Sequence, residues 1–406
     1  MDLFISELKR QMSAKRFICY LLSSIILGGL WSWFVIGGQT EGFMMTGCYK
    51  GLKGTAAIEA AAKDRNVYAG KMTVDNFQRS GEVFLNSKNE ENEIIMNDDL
   101  LKLATYADTL VMQNYKLKKI SGDAIDEDEK FQKFPMDFGS HFYENENLYY
   151  KSLIDINTKN EAERELAYKM WEDVEKPYTY YGGFEAWRNG IELIQLFAFA
   201  LLIMVGFFSS GIIAKDKECG LDEIISTTKG GRKKLLFAKL FIPIIMGLLI
   251  YTVGMVTYIA ILKHYLPANA LETSAQLWTT TIVPYNLGEV MGKMIRVGLI
   301  GTLTLSAFTT LISSISKKTS TVMSITVLVL VSGFLLSAVM DLNNPVLKAM
   351  SLILPGSLVF SFSKFTMVPV VSVFGKALLS LTFSLIISLL MFLISWIMSS
   401  LKYVRR

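Results

Sequence analysis

Six long apolar runs constrain the fold of this chain more than any other feature of its sequence. Each run contains about 20 residues, which is the length that a helix needs to cross roughly 30 Å of hydrocarbon. The runs cover residues 17–36, 191–213, 241–262, 297–315, 321–340 and 377–401. The chain has 406 residues, of which 51% are hydrophobic and only 19% are charged, and this balance is typical of a membrane protein. We therefore predict an all-α polytopic membrane protein with six transmembrane helices.

The first run has a second interpretation. Lys15 and Arg16 precede it, as basic residues precede a cleaved signal sequence. However, its apolar stretch is long for a signal, and the "GGQTEG" that follows offers no A-x-A-like cleavage site. A retained span is therefore favoured.

Basic residues between the runs predict the orientation. Lys and Arg near span ends stay in the cytoplasm, whereas long loops are translocated largely regardless of charge. With the N-terminus inside, the inner segments 1–16, 214–240, 316–320 and 402–406 hold sixteen basic residues. The short outer segments 263–296 and 341–376 hold only six. We predict a multi-pass protein of the bacterial plasma membrane with both termini in the cytoplasm.

A polar domain of residues 37–190 lies between the first two runs and is predicted to be extracellular. It has 19 basic and 27 acidic residues, a net charge of −8, and is long enough to bury its own core. Asn97 and Thr73 occupy the positions of helix N-caps, and a third helical pattern over residues 160–177 is predicted to end at Pro177. The domain is therefore predicted to be mainly helical, either α or α+β.

No catalytic, metal-binding or cofactor-binding motif emerges from the sequence. The acidic run 123–130, "DAIDEDEK", lacks the residue spacing of an EF-hand and is interpreted as a solvated loop. His141 and His264 lie too far apart for a credible metal or nucleophile site. Cys19, Cys48 and Cys219 fall in three different compartments, so no disulfide within the chain is expected, and a bridge from Cys48 to a second copy is the less favoured alternative. Nucleic-acid binding is not indicated, because the basic residues follow the inner edge of the membrane.

The sequence also shows no means of using ATP or an ion gradient as a source of energy. No GxxxxGKS/T phosphate loop is present, so the chain cannot hold ATP in the usual P-loop way. The interiors of the predicted spans carry no charge, since Glu192 and Arg296 lie at span ends. Ion-coupled carriers usually need buried ionisable groups, which disfavours a secondary carrier.

The outer segment 341–376 contains two short apolar pieces, each interrupted by a proline, Pro355 and Pro369. Each piece is too short to span a membrane, so we predict a re-entrant pair of short helices. The alternative is one more tilted span, which would place the C-terminal basic residues outside against the usual charge bias.

Residues 214–240, here called the charged linker, connect the second and third runs. In "KDKECGLDEIISTTKGGRKKLLFAKL", residues 215–240, Leu221, Ile224, Ile225 and Thr228 recur at the spacing of one helical face. Two glycines, at 230 and 231, then interrupt the helix. This apolar face is narrow and suits docking into a groove of a partner protein. The alternative is an amphipathic helix that rests on lipid headgroups.

The charged linker resembles the coupling segment of type 2 ABC-transporter permeases. The residues that carry the resemblance are Glu218, Gly220, Asp222, Glu223, Ile224, Ile225, Ser226, Thr227, Arg232 and Lys239. The order of six spans, a large outer domain and an outer re-entrant pair is also similar. Many members of this family have a proline after the Ser/Thr pair, where this chain has Thr228, Lys229 and Gly230.

The resemblance implies a permease that works with a separate ABC ATP-binding subunit, with two copies of each subunit. The second permease would be identical or related, membrane lipids would surround both, and ATP and Mg would bind to the partner rather than to this chain. The implied function is export of an amphipathic cargo such as a hydrophobic or antimicrobial peptide, a drug or a lipid. The predicted ATPase-coupling residues are Glu218, Gly220, Leu221, Asp222, Glu223, Ile224, Ile225, Arg232 and Lys233. The alternative is a non-transporting sensor whose extracellular domain binds a ligand and relays a signal.

Overall fold

A computed structural model of the chain describes residues 2–38, 49, 51–89, 94–122, 133–228, 230–338 and 345–404. The predictions that concern Cys48, the acidic run 123–130, Lys229 and the basic residues 405–406 lie outside these residues.

The described chain is mostly helical. Its α-helices in chain order are α1 (Asp2–Gln11), α2 (Ala14–Trp33), α3 (Gly54–Arg65), α4 (Val74–Asn86), α5 (Asp98–Ser121), α6 (Phe142–Asn157), α7 (Glu161–Glu172), α8 (Phe184–Glu218), α9 (Leu221–Thr227), α10 (Gly231–Tyr265), α11 (Leu287–Ile315), α12 (Thr319–Ala338), α13 (Pro345–Ile353), α14 (Pro355–Val359) and α15 (Ser380–Val404). Two antiparallel strand pairs accompany them, β1 (Gly70–Lys71) with β2 (Thr179–Tyr180), and β3 (Val370–Val373) with β4 (Lys376–Leu379).

Six helical segments in the described residues are long and apolar enough to cross a membrane, which confirms the predicted number. These are Ala14–Gly37, Phe184–Glu218, Gly231–Tyr265, Leu287–Ile315, Thr319–Ser337 and Ser380–Val404. The helices α8 and α10 each have 35 residues, or about 52 Å at 1.5 Å per residue. Because the hydrocarbon is only about 30 Å thick, both helices are long enough to extend beyond it.

Three helices, α8, α10 and α11, form the core of the helical bundle. In the apolar stretches of these three helices, 56, 56 and 61% of the residues are buried, whereas the values for α2, α12 and α15 are 22, 28 and 17%. Small residues let the central helices approach closely. At Gly254 of α10, for example, a Cβ atom would lie 2.8 Å from the Leu201 side chain of α8. The peripheral helices α2, α12 and α15 therefore expose broad apolar surfaces, which lipid or another protein must cover in a membrane.

The polar domain is built from α3 to α7 around an aromatic core. Phe77 and Phe142 stack with their ring centroids 3.6 Å apart, and Tyr150 stacks on Trp171 at 4.0 Å. The strand pair β1–β2 closes this core, with Gly70 paired to Tyr180. Aromatic side chains bury large apolar areas, and this core continues into the apolar core of the bundle as one cluster.

Two of the predicted helix caps in the polar domain are confirmed. The Asn97 side chain accepts a hydrogen bond from the Leu100 N–H at 2.8 Å, and that of Thr73 accepts one from the Asn76 N–H at 3.4 Å. The predicted end of the third helix is wrong, because α7 ends at Glu172 rather than at the proline. Val174 and Tyr178, the next apolar residues, are buried in the core.

The polar domain packs on one end of the bundle. The Trp187 Nε1–H of α8 donates to the Pro267 carbonyl at 2.8 Å, and the Ser274 N–H donates to the Thr179 carbonyl at 2.9 Å. The opposite end of α8 carries the charged linker. Near the linker, Tyr403 of the C-terminal helix packs in one apolar cluster with Met12 of the N-terminal segment. The N-terminal segment and the last described turn of α15 therefore lie at the same end of the bundle, as an even number of spans requires.

The second apolar piece of segment 341–376 differs from its prediction. The first piece forms the short helices α13 and α14, with Pro355 at the start of α14. The second piece is not a helix but the hairpin β3–β4, in which Val370 pairs with Leu379. Phe374 and Gly375 form its turn with φ of +50° and +78°, and two successive positive φ angles suit a tight hairpin. The prediction of a paired second helix is therefore wrong.

The aromatic core predicts the stability of the polar domain. Phe77 is fully buried between Tyr106 and Phe142, so Phe77→Ala should destabilise the protein by about 3–5 kcal/mol. Leu148→Ala on the same domain is the control, because Leu148 is 59% exposed and surface changes cost within about 0.5 kcal/mol. Thermal unfolding of the purified full-length chain would show this, and equal midpoints for the two variants would contradict it.

Candidate functional site

The charged linker folds into a short helix between two long ones. After α8 ends at Glu218, Gly220 takes a φ of +73°, a left-handed conformation that glycine adopts without strain. The seven residues of α9 follow, and a second left-handed glycine, Gly230, leads directly into α10. The helix α9 is thus fixed at both ends to helices of the bundle core.

The predicted apolar face of α9 is uncovered by the described chain. Ile224 is 63% exposed and Leu221 is 38% exposed, and Ile225 is half-buried. Glu223 of the same helix and Lys233 at the start of α10 are also exposed. An exposed Ile on a rigidly held helix is a surface that a partner groove can bury.

Two successive glycines form the turn after α9, where many members of the family that the linker resembles have a proline. A Cβ atom at Gly231 would overlap the Ile225 carbonyl oxygen and Thr228 Oγ1. Thr228 Oγ1 also donates a hydrogen bond to that carbonyl at 2.8 Å, which closes the end of α9. The chain therefore needs glycine at 230 for its conformation and at 231 for space.

Two predicted coupling residues pair with each other. Arg232 Nη2 donates to Asp222 Oδ2 at 2.9 Å, and both side chains are less than 20% exposed. This ion pair connects α9 to α10 across the glycine turn. Asp222 and Arg232 thereby hold the geometry of the linker from within the chain.

Other linker residues bind the neighbouring helices. Glu218 accepts a hydrogen bond from the Thr319 N–H at 3.2 Å, at the positive end of α12. Lys217 Nζ donates to carbonyl oxygens at the C-terminal end of α11, those of Ser313, Ser314 and Ser316, at 3.1, 2.6 and 3.0 Å. The linker is therefore joined to α11 and α12 as well as to α8 and α10.

Beneath the linker lies a four-charge cluster, formed by the buried Glu7, Asp216 and Lys239 and the partly exposed Arg10. Lys239 is fully buried, and its Nζ lies 2.5 Å from Asp216 Oδ2 and 2.8 Å from Glu7 Oε1. Arg10 donates to both oxygens of Asp216 at 2.8 and 3.0 Å. Two positive and two negative charges thus neutralise one another, and they join α1, the end of α8 and the start of α10.

The charge environment lowers the pKa of Glu7. Burial alone would raise this pKa, but the hydrogen bonds from Arg10 and the charge of Lys239 outweigh it and hold the pKa at about 2. A carboxyl group with a depressed pKa stabilises the folded state above its unfolded pKa of about 4.5. That contribution is lost as the pH falls from there towards 2.

The four-charge cluster was not predicted from the sequence. Asp216 and Lys239 were predicted to lie in a solvated linker just outside the spans, yet both lie within the long helices α8 and α10 and are buried. A weak signal existed, since Lys239 stands within the apolar stretch "LLFAKLFI". Its partner Glu7 is more than two hundred residues away in sequence, so no local pattern could connect them.

A comparison with protein-family models gives a match over residues 51–401 to a family described as "ABC-2 family transporter protein". No curated protein matches the chain.

Removal of one acid should unbalance the four-charge cluster. Asp216→Ala leaves the buried Lys239 and the partly exposed Arg10 with Glu7 as their one carboxylate, so it should cost about 3–5 kcal/mol of stability. The double variant Asp216→Leu with Lys239→Met keeps the Glu7–Arg10 pair and should recover most of that loss.

Thermal unfolding of the full-length protein would test both variants, with Glu223→Ala on the exposed side of α9 as the control. If Asp216→Ala lowered the midpoint no more than Glu223→Ala does, the cluster would not hold these helices together.

Proposed function

The chain belongs to the ABC-2 family of transporter proteins, and from this premise we propose that it is the permease subunit of an ATP-driven exporter. As a member of this family it is a membrane transport subunit. We propose that a separate ABC ATP-binding subunit hydrolyses ATP, with Mg, and that this chain converts the resulting motion into transport.

The exposed apolar face of α9 is the observation that supports this proposal most directly. Ile224, at 63% exposure, is the most exposed apolar residue of the linker helix. An apolar side chain on a short helix can fill a groove of the ATPase and exclude water there. Glu223 and Lys233 are exposed beside it and would form the polar rim of the contact.

The rigid mounting of α9 supports its role in coupling. Only Cys219 and Gly220 separate it from α8, and Gly230 directly precedes α10. The Asp222–Arg232 pair joins α9 to α10, and the four-charge cluster joins α8 to α10. A displacement of α9 by the ATPase would therefore move the central helices of the bundle.

The distribution of basic residues supports a cytoplasmic position for the linker. Lys215, Lys217 and Lys239 belong to the end of the bundle that also carries both chain ends. Since Lys and Arg near span ends remain in the cytoplasm, we place this end inside a bacterial plasma membrane and the polar domain outside.

Two permease copies, identical or related, and two ATPase copies would form the working transporter. The apolar flanks of α2, α12 and α15 offer surface for lipid and for the second copy. The buried polar groups of the central helices are mainly hydroxyls, such as those of Thr302, Ser306 and Thr309. A path between two such bundles suits an amphipathic cargo, for example a hydrophobic or antimicrobial peptide, a drug or a lipid.

The docking role of α9 has a direct test. Ile224→Asp places a charge in the proposed groove contact and should abolish co-purification with an ABC ATPase encoded beside this chain. It should also remove transport-linked ATP hydrolysis in reconstituted membranes, because desolvating an unpaired carboxylate costs several kcal/mol.

Ser226→Asp is the matched control, since Ser226 lies on the same exposed helix two residues away and faces a different side. This control should keep at least half of the wild-type hydrolysis. Unchanged co-purification of Ile224→Asp would refute docking through α9. A failure of the wild-type chain to bind any ABC ATPase would instead favour the signal-relay alternative.

A further inference from the structure

A cavity of about 260 Å³ lies where the polar domain meets the outer part of α8. One wall is α5 with Asp108, a second is α8 with Arg188, and the loop at Trp278 to Thr280 forms a third. The exposed side chain of Met112 also lines it, so the cavity reaches the surface of the protein.

Some charged groups around this cavity are already satisfied by the protein. Glu185 pairs with the buried Arg65. Glu146 accepts hydrogen bonds from Gln113 at 3.0 Å and from the Tyr178 hydroxyl at 2.9 Å. These groups form the wall and need no further partner.

Three other charges face the cavity without a direct partner in the described chain. Asp108 and Arg188 form no hydrogen bond and no ion pair within 4 Å with the described residues, and Asp108 interacts with Arg65 and Arg188 only through charge at longer range. Lys116 lies over the faces of Tyr149 and Tyr150, with its Nζ 5.5 and 5.9 Å from the ring centroids. One carboxylate and two cations thus face the cavity with hydrogen-bonding capacity that a ligand can use.

The opposite charges of Asp108 and of Arg188 and Lys116 limit the class of ligand that the cavity can bind. A purely cationic ligand would satisfy Asp108 but would be repelled by Arg188 and Lys116, and an anion would leave Asp108 unsatisfied. The volume is just below the roughly 300–1,000 Å³ of sites for drug-sized molecules, which limits the ligand to a few heavy atoms more than an amino acid.

We propose that this cavity binds a small zwitterion, namely a free amino acid or the terminal residue of a short peptide. Its ammonium group contacts Asp108, and its carboxylate contacts Arg188 and Lys116. A guanidinium holds a carboxylate through paired hydrogen bonds, and such charge-assisted contacts are the strong ones in a protein. The site lies at the opposite end of α8 from the charged linker, so its failure would leave the proposed coupling function intact.

The charge state of Asp108 gives the binding a pH dependence. Partial desolvation by the surrounding protein raises the pKa of Asp108, and the charges of Arg65 and Arg188 oppose this shift. The ionised carboxylate is the form that binds an ammonium group, so affinity should fall as the solution becomes acidic. The charged groups that face Asp108 or line the same cavity are Arg65, Lys116, Glu146, Glu185 and Arg188.

Isothermal titration calorimetry of the full-length chain in nanodiscs, with each of the common free amino acids and with glycylglycine, tests the proposal. At least one zwitterion should bind. Asp108→Asn and Arg188→Gln should each weaken its binding by at least about tenfold, because a charge-assisted hydrogen bond is lost. Asp99→Asn and Lys119→Gln, exposed on the same helix α5, are the charge-matched controls and should bind as the wild type does.

Two further measurements separate a zwitterion site from a simple charge site. The decarboxylated and the deaminated counterparts of the best ligand should each bind at least about tenfold more weakly than the ligand itself. The wild-type affinity should weaken between about pH 7 and pH 5, and Asp108→Asn should remove that dependence. Absence of binding by every probe, equal binding of the decarboxylated counterpart, or unchanged affinity in both cavity variants would overturn the proposal.

Discussion

The four-charge cluster is the interaction on which the rest of the site depends. Burying charges is costly unless each has a partner of opposite sign, and here the two acids and two bases satisfy one another. The partners come from α1, α8 and α10, so the charges can be satisfied only when all three helices lie in one arrangement. The helix α9 lies between α8 and α10, two of the three helices that the cluster joins.

Much of the fold was predictable because the bilayer imposes simple rules on sequence. Apolar runs of sufficient length specify helices, and the helix bounds differ from the predicted spans mainly because α8 and α10 continue beyond the hydrocarbon. Caps such as Asn97 were predictable, since a short polar side chain before a helix has few other roles. The β3–β4 hairpin was not, because periodicity alone does not separate a short apolar strand from a short helix.

The position of the linker helix and its exposed apolar face could be predicted from the sequence, but the contacts that its charged residues make could not. The exposed face with Ile224 follows from a helical repeat in the sequence. The roles of Asp222 and Arg232 did not follow, because their pairing depends on a turn whose geometry is set by Gly230 and Gly231. Asp108 and Arg188 line the same cavity but are eighty residues apart in the chain. No local sequence pattern could predict that they lie together.

The helix α8 is one unbroken element of 35 residues. It carries Arg188 in the wall of the outer cavity and Asp216 in the four-charge cluster, about 42 Å further along its axis. A rod of this kind works as a lever, since a tilt imposed at one end displaces the other. By thermodynamic linkage, a cavity ligand that favours one tilt and a partner at the linker that favours the same tilt must strengthen each other's binding by an equal factor. The two ends of the bundle would then be coupled through one continuous helix, without any loop between them.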